Sequence, residues 1–240
     1  MRIAAEETLD GIRGAVSCEP PLSTPPDPAA RMIEHARVDL LDASSRRVPF
    51  TDAHDPLWSG VMVLGPGESV RLEGDACHDL MVLSGTVDVG AGRVLEAGDF
   101  AIRNGAAQLR AGPAGAQVLA YRDSSGARCD EIVVTRDERP WREGRTPGML
   151  IANLCTAGHA LSLVMWQPGA LTRHHAHPGG EEIFVLRGEL CEGDRHPAGS
   201  WMRLHPGAWH SPFVEVPTLI LVRSGHLKAR RPAHEAREQA

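Results

Sequence analysis

The sequence predicts an all-β chain built from two barrels in tandem, and three observations carry that expectation. Glycine supplies 25 and proline 18 of the 240 residues, so the chain must turn often and cannot hold long helices. From about Arg37 onward, brief apolar runs are split by Gly and Pro, as in GVMVLGPGE, DLMVLSGTVDV, RVLEAGDFAI, EEIFVLRGEL and PTLILVRSG. Finally, the two halves repeat each other. Gly67, Gly85, Gly98 and Tyr121-Arg122 recur as Gly169, Gly188, Gly199 and Val222-Arg223 at offsets of 101 to 103 residues. A repeat of about 100 residues is too long for a solenoid unit and matches a small domain.

Taken in order, residues 1–36 read as a partly ordered N-terminal arm. Its end, EPPLSTPPDPAA, continues neither a helix nor a central strand, and Glu6–Arg13 is expected as one short helix. Residues 37–123 form the first barrel. Residues 124–145 are charged, with RDERPWREGR, and are expected as a linker. Residues 146–240 form the second barrel. With aromatic residues at only 4%, the cores must come mainly from Val, Leu, Ile and Ala.

Composition excludes several roles. The formal charge is −6 and no Lys/Arg cluster occurs, which argues against a nucleic-acid partner. The start, MRIAAEETLD, has no apolar core of a secretory leader. Apolar runs such as Leu219–Val222 are far too short to span a bilayer. Cys18, Cys77, Cys129, Cys155 and Cys191 are scattered, odd in number and without a CxxC pair. That suits free thiols in a reducing compartment, so a cytoplasmic location is expected.

The chemistry concentrates in the second half. Six of the twelve histidines fall within Leu171–Pro212: His174, His175, His177, His196, His205 and His210. In an extended strand His175 and His177 share one face and can reach one ion. A carboxylate just beyond, Glu181 or Glu182, and the later His210 would complete three nitrogens and one oxygen. Such a set suits Fe, Mn, Ni, Co or Zn and not Ca or Mg. His174 should point the opposite way, and His196 lies in an expected surface turn.

From Gly169 to Gly188 the chain reads Gly, five residues, His175-x-His177, three residues, Glu181, six residues, Gly188. This resembles the first motif of the cupin superfamily at every defining position. The second motif is met by Gly199, Gly207 and His210, with His205 where proline is usual. HPGGEEIFVLRGEL followed by HPAGSWMRLHPGAWHSPF resembles more narrowly the ChrR-like cupins, over roughly Leu161–Leu227. That family is named for the C-terminal domain of a zinc-containing anti-sigma factor. The resemblance implies double-stranded β-helix (jelly-roll) barrels, here a bicupin. It also implies one divalent transition metal (Fe, Zn, Mn or Ni, with Fe or Zn favoured) on His175, His177, Glu181 and His210. Glu181 rather than Glu182 keeps the six-residue spacing to Gly188. The anti-sigma form also needs an N-terminal helical zinc module with a CxxC pair, whereas Met1–Phe50 holds only Cys18 and His35 as candidate ligands.

The first half keeps the glycines and loses the ligands. In the repeat register Glu73 and Asp75 take the places of the paired histidines, His78 lies near that of the glutamate, and Gln108 or Leu109 that of the last histidine. A structural role is expected for this barrel. Around the second-half motifs, Trp166, Trp201 and Trp209 are candidates for an apolar pocket, Arg203 for a carboxylate or phenolate anchor, and His205 for a substrate-facing group. The leading functional expectation is a non-haem metal dioxygenase or oxidoreductase acting on a small oxygenated or aromatic molecule. A metal-binding sensor without catalysis and a metal-dependent isomerase or lyase are the alternatives. A small-molecule ligand is the expected partner, and pairing into a homodimer through barrel edges stands beside a monomer.

Overall fold

The computed structural model describes residues 33–40, 47–72, 74–126, 129–156 and 159–227. The expected helix at Glu6–Arg13 lies outside them. Among the described residues the chain is almost entirely antiparallel strand, and the one regular helical turn is the 3₁₀ segment Arg136–Glu138.

Two large sheets divide the molecule. The upstream sheet runs Arg47–Pro49, Leu57–Leu64, Gln108–Asp123, Cys77–Asp88, Phe100–Asn104, Ile132–Val134. Ser69–Arg71 pairs onto Gln108–Asp123, and Val94–Glu96 onto Cys77–Asp88. The downstream sheet runs Ile33–Arg37, Ser200–Leu204, Glu181–Arg187, Thr218–Ser224, Ala160–Trp166, Met149–Cys155, Trp141–Glu143. Two short ladders accompany it: His175–Ala176 with Trp209–His210, and Glu189–Glu192 with Asp194–Pro197. These are two jelly-roll barrels in tandem.

The repeat glycines mark where the strands bend. Pairing of Cys77–Asp88 with Gln108–Asp123 shifts register around Gly85, and extra residues of this kind bend a strand and sharpen its twist. Gly85 and Gly188 both have positive φ, +73° and +79°. A Cβ at either would come within 2.0 Å of the Gly115 carbonyl oxygen or 2.4 Å of the Pro217 carbonyl oxygen. Only glycine fits there.

Strands at the domain edges cross between the halves. Ile33–Arg37, next to the proline-rich arm, pairs with Ser200–Leu204 and covers that edge of the downstream sheet. Within the stretch expected to join the barrels, Ile132–Val134 extends the upstream sheet and Trp141–Glu143 the downstream one. An uncovered edge is a template for unwanted pairing, and each barrel thus has an edge closed by chain from outside its own repeat.

Strand alternation then sorts the core into three layers. Leu80 and Val82 point into the upstream barrel beside Trp58 and Met62. Ile183, Val185, Met202 and Leu204 point into the downstream barrel beside Trp166. Between the two lies a third layer in which Met81, Phe100, Leu119 and Tyr121 meet Leu163, Phe184, Trp201 and Leu221. Strands buried on both faces need no polar alternation, which is why LMVL and IFVL read as continuous apolar runs. Cys77, Cys129, Cys155 and Cys191 form no disulfide among the described residues.

Candidate metal centre

The sequence builds the site from a ladder and a turn. His175 sits directly opposite His210 in the two-residue ladder, with Ala176 opposite Trp209. His177, two residues on from His175, returns to the same face. The Pro178-Gly179-Gly180 turn follows, closed by the Gly180 amide donating to the His177 carbonyl at 2.9 Å. It delivers Glu181 as the first residue of the strand Glu181–Arg187. There Glu181 shares the inward face with Ile183 and Val185.

The donor atoms converge. His210 Nε2 lies 3.0 Å from His175 Nε2 and 3.1 Å from His177 Nε2. The Glu181 carboxylate lies 3.3 Å from His177 Nε2 and 3.7 Å from His210 Nε2. The three imidazoles form a group able to hold a metal ion. His175 Nδ1 is 2.7 Å from the Arg173 carbonyl oxygen. Donation to that carbonyl puts the proton on Nδ1 and leaves Nε2 as the lone pair.

Burial sets the protonation of the group. Desolvation, with His175 adding to it, lowers His177 to about 4, and desolvation with the three neighbouring histidines lowers His210 to about 3. Both rings are therefore neutral near pH 7, the form that coordinates. Burial alone raises Glu181 to about 8, because neutral imidazoles offer its carboxylate no counter-charge. The residues fit a divalent transition ion on three grounds. The donors are borderline imidazoles with one carboxylate. The ligand atoms of the three imidazoles all lie within 4.8 Å of one another, two of the pairs at 3.0 and 3.1 Å. A buried carboxyl is held against its charge, and a cation would reverse that cost.

A stability consequence follows. A carboxyl whose folded value is raised from 4.5 to about 8 weakens the metal-free fold increasingly above pH 4.5. Metal-free Glu181→Gln is expected to be more stable than the metal-free parent by about 1–3 kcal/mol at pH 7–8. The two should converge near pH 4.5, and the variant should bind metal more weakly. Thermal melts of chelator-treated protein across this range check it. A variant less stable than the parent at pH 8 would contradict the assignment.

The pocket candidates are dispersed. Trp166 is buried in the downstream core. Trp201 and Arg203 alternate with inward-facing Met202 and Leu204, so they face the upstream half, not the metal centre. Trp201 is buried against Phe50. The Arg203 guanidinium pairs with Glu182 at 2.7 Å and Asp55 at 2.6 Å and donates to the Leu57 carbonyl, so it is no substrate anchor. His205 pairs with Glu34 of the edge strand, away from the ligands. Trp209 follows the rule that adjacent strand residues face opposite ways. It is 49% exposed and lies 5.0 Å from the His174 ring on the outer side of the ladder.

Glu182, the competing carboxylate, belongs to a buried charge network between the halves. It accepts from Ser59 Oγ at 2.9 Å and lies 2.7 Å from Arg203, 3.2 Å from His226 and 3.8 Å from Arg223. Asp79, the upstream residue next to His78, meets Arg223 at 3.2 Å and His159 at 2.8 Å. Burial would raise both carboxyls, but the cationic and hydrogen-bonding neighbours win. Glu182 is held near 2, and Asp79 is also lowered. His226 and His159 carry no motif, so nothing in their spacing pointed to this network.

Residues 129–228 match the ChrR cupin-like domain family. The downstream half carries a ChrR cupin-like domain. Solved cupin structures share the fold over most of the chain. A salicylate 1,2-dioxygenase from Pseudaminobacter salicylatoxidans is 12% identical, with 78% of each chain covered and a TM-score of 0.59. An oxalate decarboxylase from Lactobacillus farciminis, determined as a formate complex, is 13% identical over 82% of this chain and 91% of its own, at 0.53. A cupin 2 conserved barrel domain protein from Leptotrichia buccalis is 14% identical over 74% and 87%, at 0.55. No curated protein matches the chain. No helix among the described residues is long and apolar enough to cross a membrane.

Proposed function

We propose that this bicupin is a metal-dependent oxidoreductase of the non-haem dioxygenase type. It would act on a small oxygenated or aromatic molecule at a single ion held by His175, His177, Glu181 and His210. The observation that supports it most is the clustering of three imidazoles, His210 Nε2 lying 3.0 and 3.1 Å from the other two Nε2 atoms, with the Glu181 carboxylate beside two of the rings. Three or four protein ligands leave coordination positions for exogenous molecules. A bound Fe(II) would supply electrons for dioxygen chemistry, and Zn would supply Lewis acidity. The chain itself fixes the tautomer of His175 through the Arg173 carbonyl. It keeps His177 and His210 neutral by burial, and it releases the Glu181 carboxyl proton as the ion binds. The fold likeness to a salicylate 1,2-dioxygenase is compatible with this reading, as is the likeness to an oxalate decarboxylase.

A second reading, a metal-responsive regulatory cupin, draws support from the ChrR cupin-like match. Anaerobic loading with Fe(II), followed by oxygen uptake with diketones, catechols and hydroxyacetophenones, separates the two. Metal-dependent uptake with at least one of these supports the oxidoreductase. Stoichiometric metal binding with no uptake across the panel moves the assignment to the regulator.

A further inference from the structure

Among the described residues the upstream barrel has no cluster of metal ligands, and basic side chains line its mouth instead. Strand pairing shows what replaced them. Arg71 lies opposite Gln108 in the short ladder, as His175 lies opposite His210. His78 precedes Gly85 by the same seven residues that separate Glu181 from Gly188, and it shares the inward face of its strand with Leu80 and Val82. The place of His175 thus holds Arg71, where the sequence register had put Glu73. Asp75 is an exposed turn residue, and Glu73 lies outside the described residues.

At this pole is a cavity of about 150 Å³, lined by Arg47, Arg71, Arg122 and His78 above an apolar floor that includes Trp58 and Met62. Among the described residues no carboxylate lines it, in a chain whose formal charge is −6. Arg122 is fixed at the wall by its Nη2 donating to the Ala53 and Asp55 carbonyls at 3.0 and 3.1 Å. Arg47 and Arg71 reach the cavity from two different strands, Arg47–Pro49 and Ser69–Arg71. Guanidiniums have no lone pair to offer a metal, and their fork matches a carboxylate.

We propose that this cavity is a metal-free binding site for a small organic carboxylate, with the anion between the arginines and the apolar part on Trp58 and Met62. The volume admits a ligand of one ring or a few carbons, and the buried floor distinguishes an organic acid from an inorganic anion. The two barrels would then divide labour: a metal centre downstream and an acid-recognising site upstream. This does not depend on what the metal centre does.

The test is calorimetry with benzoate as probe, in carboxylate-free buffer at constant ionic strength. It uses the full chain and its His175→Ala/His210→Ala variant, in which no metal can offer a competing carboxylate site. The expected result is one site per chain, with Kd at or below about 1 mM, equal in both proteins. Arg47→Gln and Arg71→Gln replace exposed side chains, so melting temperatures should hold while each weakens binding by about tenfold or more. Absence of binding up to about 10 mM overturns the proposal. So does binding lost in the double-histidine variant, or binding unchanged by both arginine substitutions. Sulfate matching benzoate in affinity overturns the organic-acid assignment.

Discussion

His210→Ala should lose its metal. His210 is the hub of the cluster, with Nε2 within 3.0–3.1 Å of both other imidazoles and 3.7 Å from the Glu181 carboxylate. Removing a histidine's supporting partner alone typically costs about 10–100-fold in metal affinity, and removing the ligand itself should exceed about 100-fold. Elemental analysis after dialysis should show about one ion per chain in the parent and almost none in His210→Ala, with His175→Ala behaving alike. The fold should survive, because His175 and His210 sit on a two-residue ladder at the barrel mouth and not in any of the three core layers. Full occupancy in either variant would refute the metal centre. Loss of metal accompanied by global unfolding would show the site to be structural.

Arg223→Ala should be the most destabilising single change in the interface between the halves. Its guanidinium lies against Asp79 and Glu182 and over the Tyr121 ring, 5.1 Å from the ring centre. Arg223, Asp79 and Glu182 are almost wholly buried. Breaking a buried pair leaves uncompensated charge and costs about 3–5 kcal/mol, or roughly 6–20 °C in melting temperature for a chain of this size. The pH dependence fixes the cause. Glu182, held near 2 against 4.5, contributes stability that is present above pH 4.5 and lost as pH falls toward 2. In the variant the orphaned carboxyls take up protons earlier, so the gap to the parent should narrow on acidification. A melting temperature within about 1 °C of the parent at pH 7 would show that the network carries no net stability.

The metal centre was largely legible in the sequence because its parts are local. His175-x-His177 needs only strand alternation, and the spacing from Glu181 to Gly188 pointed to the one of two adjacent glutamates that lies beside the histidines. The physical reason for that choice became visible only in the fold: one step along the strand turns Glu182 out of the barrel and into the charge network. The pocket candidates are dispersed for the same reason. Trp201, Arg203 and Trp209 lie close to the motifs in sequence, but the odd-even rule sends them to the far side of the sheet or the outer side of the ladder. His205 was drawn off by Glu34, 171 residues away in the chain.

By itself the sequence determined the all-β class, the two-barrel repeat and the downstream cluster of three histidines. Each of these depends on turn glycines and alternation acting over a few residues. Tertiary structure decided the rest: which edges Ile33–Arg37 and Ile132–Val134 close, how Arg223 sits between carboxylates of opposite halves, and that Arg47, Arg71 and Arg122 gather around one cavity. Those arrangements join residues tens to hundreds of positions apart. They are set by which sheet faces can be buried against each other, and no local spacing encodes that.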